Sequence, residues 1–388
     1  MKLKLLLIPL VAVIGVLGVS SQASANHTPQ TRTITVGGGA DGVAANDFFP
    51  DVVTIQKGDT IHFSNTHNEI HTTTYVPGVP EPMPVPAFVI PNPSGPGVVF
   101  NPLAFDPTNP AAGAVTDFNP HKYFNSGVMF KDASSDVIFN VVGDFKFLCL
   151  VHEGMEFNIS VVGTPVTIDT QDAIDKVGKS QSDAFITAGN AIIAAATQTK
   201  VTDASGTSTW DSQVGVTKGQ VDVLEFLPAG PLNISTGDSV KWTTITGTPH
   251  TVTFGEPFNP IVMFGQYTTF SPAAALPSGG ATYSGSNNSG LMDASGQLPG
   301  GTSYTLTFTK AGTYTYICLL HGDQGMDGTI VVSDKAPAPA PMPIKAPNTG
   351  TGGSAGGDGS WLAALLILSV AGVALVTAGA RTAVKNEA

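Results

Sequence analysis

Two short segments gather side chains that bind soft metal ions. Cys149-Leu-Val-His152-Glu-Gly-Met155 and Cys318-Leu-Leu-His321-Gly-Asp-Gln-Gly-Met326 each place a thiol, an imidazole and a thioether on one tight loop. The chain has 2 cysteines, one in each loop. A histidine lies far upstream of each: His71 in Asn68-Glu-Ile-His71-Thr-Thr-Thr-Tyr75, and His250 in Thr248-Pro-His250-Thr-Val-Thr-Phe254. Two imidazoles, one thiolate and a weak axial thioether are the donor set of a mononuclear blue-copper centre, which passes single electrons. The chain carries that set twice, as His71, Cys149, His152 and Met155, and as His250, Cys318, His321 and Met326. A disulfide between the cysteines is the plainer alternative in an oxidising compartment. It would join equivalent positions and leave the neighbouring His and Met residues without a role.

Such donors need rigid elements to hold them, and the flanking sequence supplies alternating strands. Phe48 to Phe63 parallels Phe226 to Trp242: each alternates apolar and polar residues, pauses at Gly-Asp (Gly58-Asp59, Gly237-Asp238) and alternates again. Asp136 to Phe147 parallels Ser303 to Tyr316, two strands around a glycine turn, the second running straight into Cys149 or Cys318. A last strand follows each Met, over Phe157 to Val162 and Thr329 to Val332. Many short strands at regular spacing, repeated once, predict an all-β chain of two tandem Greek-key β-sandwiches.

The boundaries predicted are a first sandwich over residues 26–163, a helical linker over 164–205 and a second sandwich over 206–334. Residues 77–120 are crowded with Pro, Gly and Asn without a clear period and read as a long loop inserted in the first unit. Asp169 to Lys200 is Ala-rich and spaces Ile174, Val177, Phe185, Ala188 and Ile192 on one helix face, which predicts one or two short helices between the domains.

Charged residues make up only 12% of the chain, whereas Gly (44) and Pro (29) are abundant, a balance that suits β-rich domains with many turns. The net charge of -12 excludes a nucleic-acid-binding role, which needs a basic face. Residues 1–25 have the order of a secretory signal: Lys2 and Lys4, an apolar run from Leu5 to Val19, then Ala23-Ser24-Ala25. An exported, extracytoplasmic chain is expected. Residues 335–360 form a Pro/Gly-rich spacer, residues 361–380 an uncharged apolar segment long enough to span a bilayer, and 381–388 a basic tail with Arg381 and Lys385. With Pro347-Asn-Thr-Gly350 ahead of it, this end resembles a cell-wall sorting signal, with Ala346 where such signals carry Leu. Anchorage to the membrane or cell wall, by a retained or a cleaved helix, is the expectation.

Both strand-to-loop exits resemble those of cupredoxins of the plastocyanin, amicyanin and azurin group, over roughly residues 32–163 and 212–333. The second unit, Cys318-x-x-His321-x4-Met326, resembles the plastocyanin spacing; the first, Cys149-x-x-His152-x-x-Met155, the shorter amicyanin spacing. The resemblance implies one type 1 copper per domain, single-electron transfer between a donor and an acceptor protein, and exposed ring edges of His152 and His321 as electron ports. The first unit departs by carrying Phe157 where the second keeps Gly328, by its insertion, and by a second histidine, His67, close to His71.

Two other functions compete with electron carriage. Copper scavenging or storage would use the same ligands. A two-domain copper oxidase or reductase would need further histidines, some beside the cysteines. Here the preceding residues are Leu148 and Ile317, no His-x-His pair occurs, and the two sets use four of 8 histidines. The chain therefore reads as a non-enzyme.

Overall fold

The computed structural model describes residues 27–335, apart from residues 41, 79–83, 96, 111–113, 164–165 and 265. The expected signal segment, the spacer, the apolar C-terminal segment and the basic tail lie outside the described residues. Among the described residues, no helix is long and apolar enough to cross a membrane.

The first half contributes β1 (Thr31–Ala40), β2 (Val43–Phe49), β3 (Val52–Gln56), β4 (Thr60–Ser64), β5 (Thr74–Tyr75), β6 (Val115–Asp117), β7 (Phe124–Asn125), β8 (Ser134–Ile138), β9 (Gly143–Leu148) and β10 (Glu156–Val162). The helix α1 (Gln171–Ala195) follows. The second half contributes β11 (Ser208–Lys218), β12 (Val221–Leu227), β13 (Leu232–Ser235), β14 (Ser239–Thr243), β15 (Thr253–Phe254), β16 (Asn287–Asn288), β17 (Ser303–Thr307), β18 (Gly312–Ile317) and β19 (Asp327–Ser333). The alternation read from the sequence is the alternation of burial: Val53, Ile55, Ile61 and Phe63 point into one core, and Ile234, Val240 and Trp242 into the other.

The Gly-Asp pauses are turns pinned by a buried carboxylate. Asp59 accepts the backbone N–H groups of Gln30 and Gln56, and Asp238 those of Ser208 and Ser235. Each aspartate thereby ties a turn to the first strand of its own half.

Each half is a sandwich with its own five-stranded sheet, ordered β3-β10-β9-β5-β7 in the first and β13-β19-β18-β15-β16 in the second. The opposing layer is common to both. One sheet runs β17-β14-β11-β12-β2-β1-β4-β8-β6, joined across the halves by antiparallel pairing of Val221, Asp222 and Val223 with Ala45, Ala44 and Val43. The sequence does not announce this seam, because strand alternation says nothing about which edges meet.

The segment between the halves holds one helix of 25 residues, which packs on β1, β2 and β12, followed by a short strand, Thr199–Thr202, paired antiparallel with β11. Thr170 caps its start by accepting the Ala173 N–H. Of the apolar face expected, Ile174 is buried, but Val177 and Ala188 are exposed. Gly178 and Gly189 take the buried positions, one against the Phe49 backbone and the other against the Val43 side chain, so the helix lies close on the seam.

The described residues within 77–120 form more than a loop. They hold the hairpin strands Val89–Pro91 and Val98–Phe100, and the single helical turn Pro102–Phe105 capped by Asn101. The second half has a counterpart in strands Ile261–Phe264 and Tyr267–Phe270 and the turn Pro272–Ala275 capped by Ser271. Phe100 and Phe270 meet edge to face across the halves, 4.9 Å between centroids. The departure at Phe157 also has a packing reason. Gly328 lies opposite Tyr316, whose ring occupies the space a side chain would need, whereas Phe157 lies opposite Phe147 and fills the first core with Phe48 and Phe63.

Candidate metal centre

Each centre is assembled where the two layers of a half come together. β9 and β18 deliver Cys149 and Cys318 to the strand end, and a two-residue turn returns His152 and His321. The loops close on themselves: the Cys149 N–H donates to the Met155 carbonyl and the Cys318 N–H to that of Met326, both at 3.0 Å. Both methionines are buried beside their cysteines in the respective cores. Upstream, His71 pairs with the Met129 backbone and His250 with that of Met292, which fixes both imidazoles against the opposite side of the site.

The inner ring nitrogens converge on sulfur. In the first cluster Cys149 Sγ lies 4.0 Å from His71 Nδ1 and 3.9 Å from His152 Nδ1, and the two nitrogens are 3.2 Å apart. In the second, Cys318 Sγ lies 3.8 Å from His250 Nδ1 and 3.4 Å from His321 Nδ1, with 3.1 Å between nitrogens. Bonds of about 2.0 Å to nitrogen and about 2.3 Å to sulfur around one ion in a plane put such donors roughly 3.5–3.8 Å apart. The separations in the two clusters, from 3.1 to 4.0 Å, bracket that spacing. Both cysteines are unpaired and buried, so no disulfide joins them. His67 is only half-buried, bonds through its backbone to Asn65, and stays out of the first cluster.

A bulge in each half makes room for the upstream imidazole. The register of β1 against β2 slips between Val36 and Gly38, and that of β11 against β12 between Val214 and Val216. Gly37 and Gly215 sit in the slips with φ of 76° and 66°, beneath the rings of His71 and His250. The glycine signal stands in the sequence, but only the bulge shows its purpose.

Threonines support the sulfur. The Thr72 and Thr251 N–H groups point at Cys149 and Cys318 Sγ, at 3.3 and 3.4 Å. Their hydroxyls accept the Leu150 and Leu319 N–H groups, at 2.8 and 2.9 Å, and contact Thr74 and Thr253, which bond on to Asn125 and Asn288. The same relay in both halves was visible in the sequence only as Thr72-Thr-Thr74 and Thr251-Val-Thr253.

In the metal-free chain both thiols are acidic. Burial opposes ionisation of Cys149, but His152 and His71 outweigh it and hold its pKa well below the usual value; His321 and His250 do the same for Cys318. Burial likewise opposes charge on His152, yet Cys149 and Glu69 raise its pKa to about 10; for His321, Cys318 and Glu69 raise it to about 9. A ready thiolate is the form a soft metal binds.

One expectation is overturned. His152 and His321 expose only 9% and 4% of their surface and present no open ring edge to a partner. The outer edges of the two rings turn instead towards a shared carboxylate, Glu69, which the sequence reading passed over. Its one signal was asymmetry: the loop before His71 carries an acid, and the matching loop before His250 carries Thr248.

The model of copper-binding proteins of the plastocyanin/azurin family matches residues 212–333. A plastocyanin of Scenedesmus fuscus is 31% identical over 109 residues, which are 28% of this chain and 87% of that protein. A chloroplastic plastocyanin of Tetradesmus obliquus is 32% identical over 109 residues, 28% of this chain, and the chain spans 59% of its length. Among solved structures, a mutant plastocyanin of fern is 24% identical, with 32% of this chain and 99% of that chain covered and a TM-score of 0.21. Given 31% identity across most of a plastocyanin and two buried His–Cys–His clusters that fit two copper sites, the chain belongs to the plastocyanin/azurin family of copper-binding proteins.

Proposed function

We propose that the chain is an exported, envelope-tethered electron carrier with two type 1 copper sites. The observation that carries this is the duplicated convergence of one thiolate sulfur and two Nδ1 atoms in a buried pocket. His71, Cys149, His152 and Met155 would hold one ion, and His250, Cys318, His321 and Met326 the other. Copper, when bound, supplies a one-electron couple.

The residues around it keep that couple fast and clean. Strand-end cysteines and bulge-seated histidines resist rearrangement, so the site need change little between oxidation states. Buried methionines and aromatic cores exclude water, and the Thr72 and Thr251 N–H groups stabilise charge on sulfur. The remaining histidines His27, His62, His67 and His121, with Leu148 and Ile317 ahead of the cysteines, support a carrier rather than a copper oxidase or reductase. Donor and acceptor proteins are its partners, and the C-terminal segment its link to membrane or cell wall.

The test is a visible spectrum and a copper count on the purified protein loaded with copper(II). An intense thiolate-to-copper band with two coppers per chain is expected; a colourless protein sinks the reading. Burial of all four imidazoles favours a second reading, copper scavenging or storage without electron traffic. Reversible voltammetry separates the two, since a storage site gives slow or irreversible reduction.

A further inference from the structure

Glu69 lies between the two clusters. It is 6% exposed, with Oε1 3.6 Å from His152 Nε2 and Oε2 3.6 Å from His321 Nε2. Gln324 Nε2 donates to Oε2 at 2.9 Å. The nitrogens facing Glu69 are the outer ones, because Nδ1 of each ring points at its own cysteine. A neutral imidazole that ligates through Nδ1 carries its proton on Nε2, so both rings turn an N–H towards the same carboxylate.

The placement is built, not incidental. Asn65 Nδ2 donates to the carbonyls of Glu69 and Met129, at 2.7 and 2.8 Å, clamping the loop. Asn68 reaches across to the Asp323 carbonyl at 2.8 Å, on the opposite half's loop. Burying a carboxylate costs several kcal/mol unless it is partnered. The fold itself does not require an acid there, since the equivalent Thr248 serves the second half by donating to Asp222.

We propose that Glu69 joins the two clusters into one two-centre redox unit, with a single electron exchanged between them along His152–Glu69–His321. This rests on copper at both clusters, as proposed above. In the exchange one cluster passes from the cuprous to the cupric state and the other from cupric to cuprous. Both ring protons stay on Nε2 and the carboxylate stays ionised, so no bond forms or breaks and no outside reagent enters the step. The burial of both ring edges, unhelpful for docking a partner, is what a path between the centres needs.

The experiment compares the full chain with Glu69→Ala and the near-isosteric Glu69→Gln, which keeps the loop's shape should the smaller residue destabilise it. Copper per chain and the thiolate bands come first, to show both sites loaded. A sub-stoichiometric pulse of reductant then reads the concentration-independent phase in which the electron redistributes between centres. Nitrogen-15 spectra of the cuprous protein read the Nε2–H signals of His152 and His321. The wild type is expected to show that phase and two exchange-protected ring N–H signals. In Glu69→Ala the phase slows by at least about 10-fold and both signals lose protection, with two coppers retained; Glu69→Gln is intermediate. An unchanged rate in Glu69→Ala, or no intramolecular phase in doubly loaded wild type, overturns the bridge and leaves the copper reading standing. A wild type that binds no copper overturns both, and the copper count tells the two failures apart.

Discussion

Gly37 lies directly beneath the imidazole of His71: a Cβ on that residue would stand 2.0 Å from Nε2. Backbone in the left-handed region adds a second penalty for any other side chain. Gly37→Ala should therefore displace the ring, lower stability by about 2–4 kcal/mol and reduce copper to one per chain. Gly215→Ala should do the same beneath His250, where the Cβ would stand 2.3 Å from Nε2. Metal analysis with urea unfolding of the metal-free variants checks both; two coppers retained in either would refute the steric argument.

The cysteines should act independently as ligands. Cys149→Ala is expected to remove one thiolate band and one copper while leaving the second centre coloured, and Cys318→Ala to do the converse. Spectra of the single variants should sum to that of the wild type. Loss of both bands from one substitution would contradict two separate donor sets.

Thr72 holds the turn after Cys149 through its hydroxyl and aims its own N–H at the sulfur. Thr72→Val leaves the half-buried Leu150 N–H without its acceptor, at a cost of about 1 kcal/mol. Loosening the N–H contact returns charge to the thiolate, so the reduction potential of the first site should fall while the second stays put. Thr251→Val should produce the mirror result. Voltammetry of each variant decides it.

Two equivalent carboxylates give the metal-free protein a pH dependence. Burial raises Asp47 to about 7, aided by Asp51 and Glu156 against the opposing Phe48 N–H; burial raises Glu225 to about 7, aided by Asp327. Because the folded values exceed the unfolded ones, the folded chain keeps protons that the unfolded chain has released. Stability therefore declines as pH climbs from about 4 to about 7. Asp47→Asn and Glu225→Gln should flatten that decline, each by about 1 kcal/mol after solvent screening, with little difference at pH 4. Thermal melts across this window measure it, and parallel pH profiles for wild type and variants would refute it.

The local chemistry of both centres was legible because it is written in short spacings: the Cys-x-x-His turns, the strands that deliver them and the Gly-Asp pauses are each encoded within a few residues. What was not legible depends on contacts across the halves. Nothing in Val43-Ala-Ala45 or Val221-Asp-Val223 says that they pair. The burial of His152 and His321 follows from that pairing, and so does the position of Glu69. The insertion at 77–120 hid its order because a one-turn helix and a three-residue strand are too short to show a period. Its counterpart at 261–275 keeps only Phe270, Pro272 and Ala274 in common with Phe100, Pro102 and Ala104, an imprint of three residues that is easily passed over.

The seam between β2 and β12 has a thermal consequence. A ligand that binds only the native state raises the melting temperature of whatever unfolds with its site. Because one sheet crosses both halves, that cooperative body extends past the half where the ion sits. Occupancy of either centre by a single ion should therefore protect the whole region from β1 to β19 against heat, including the half left empty.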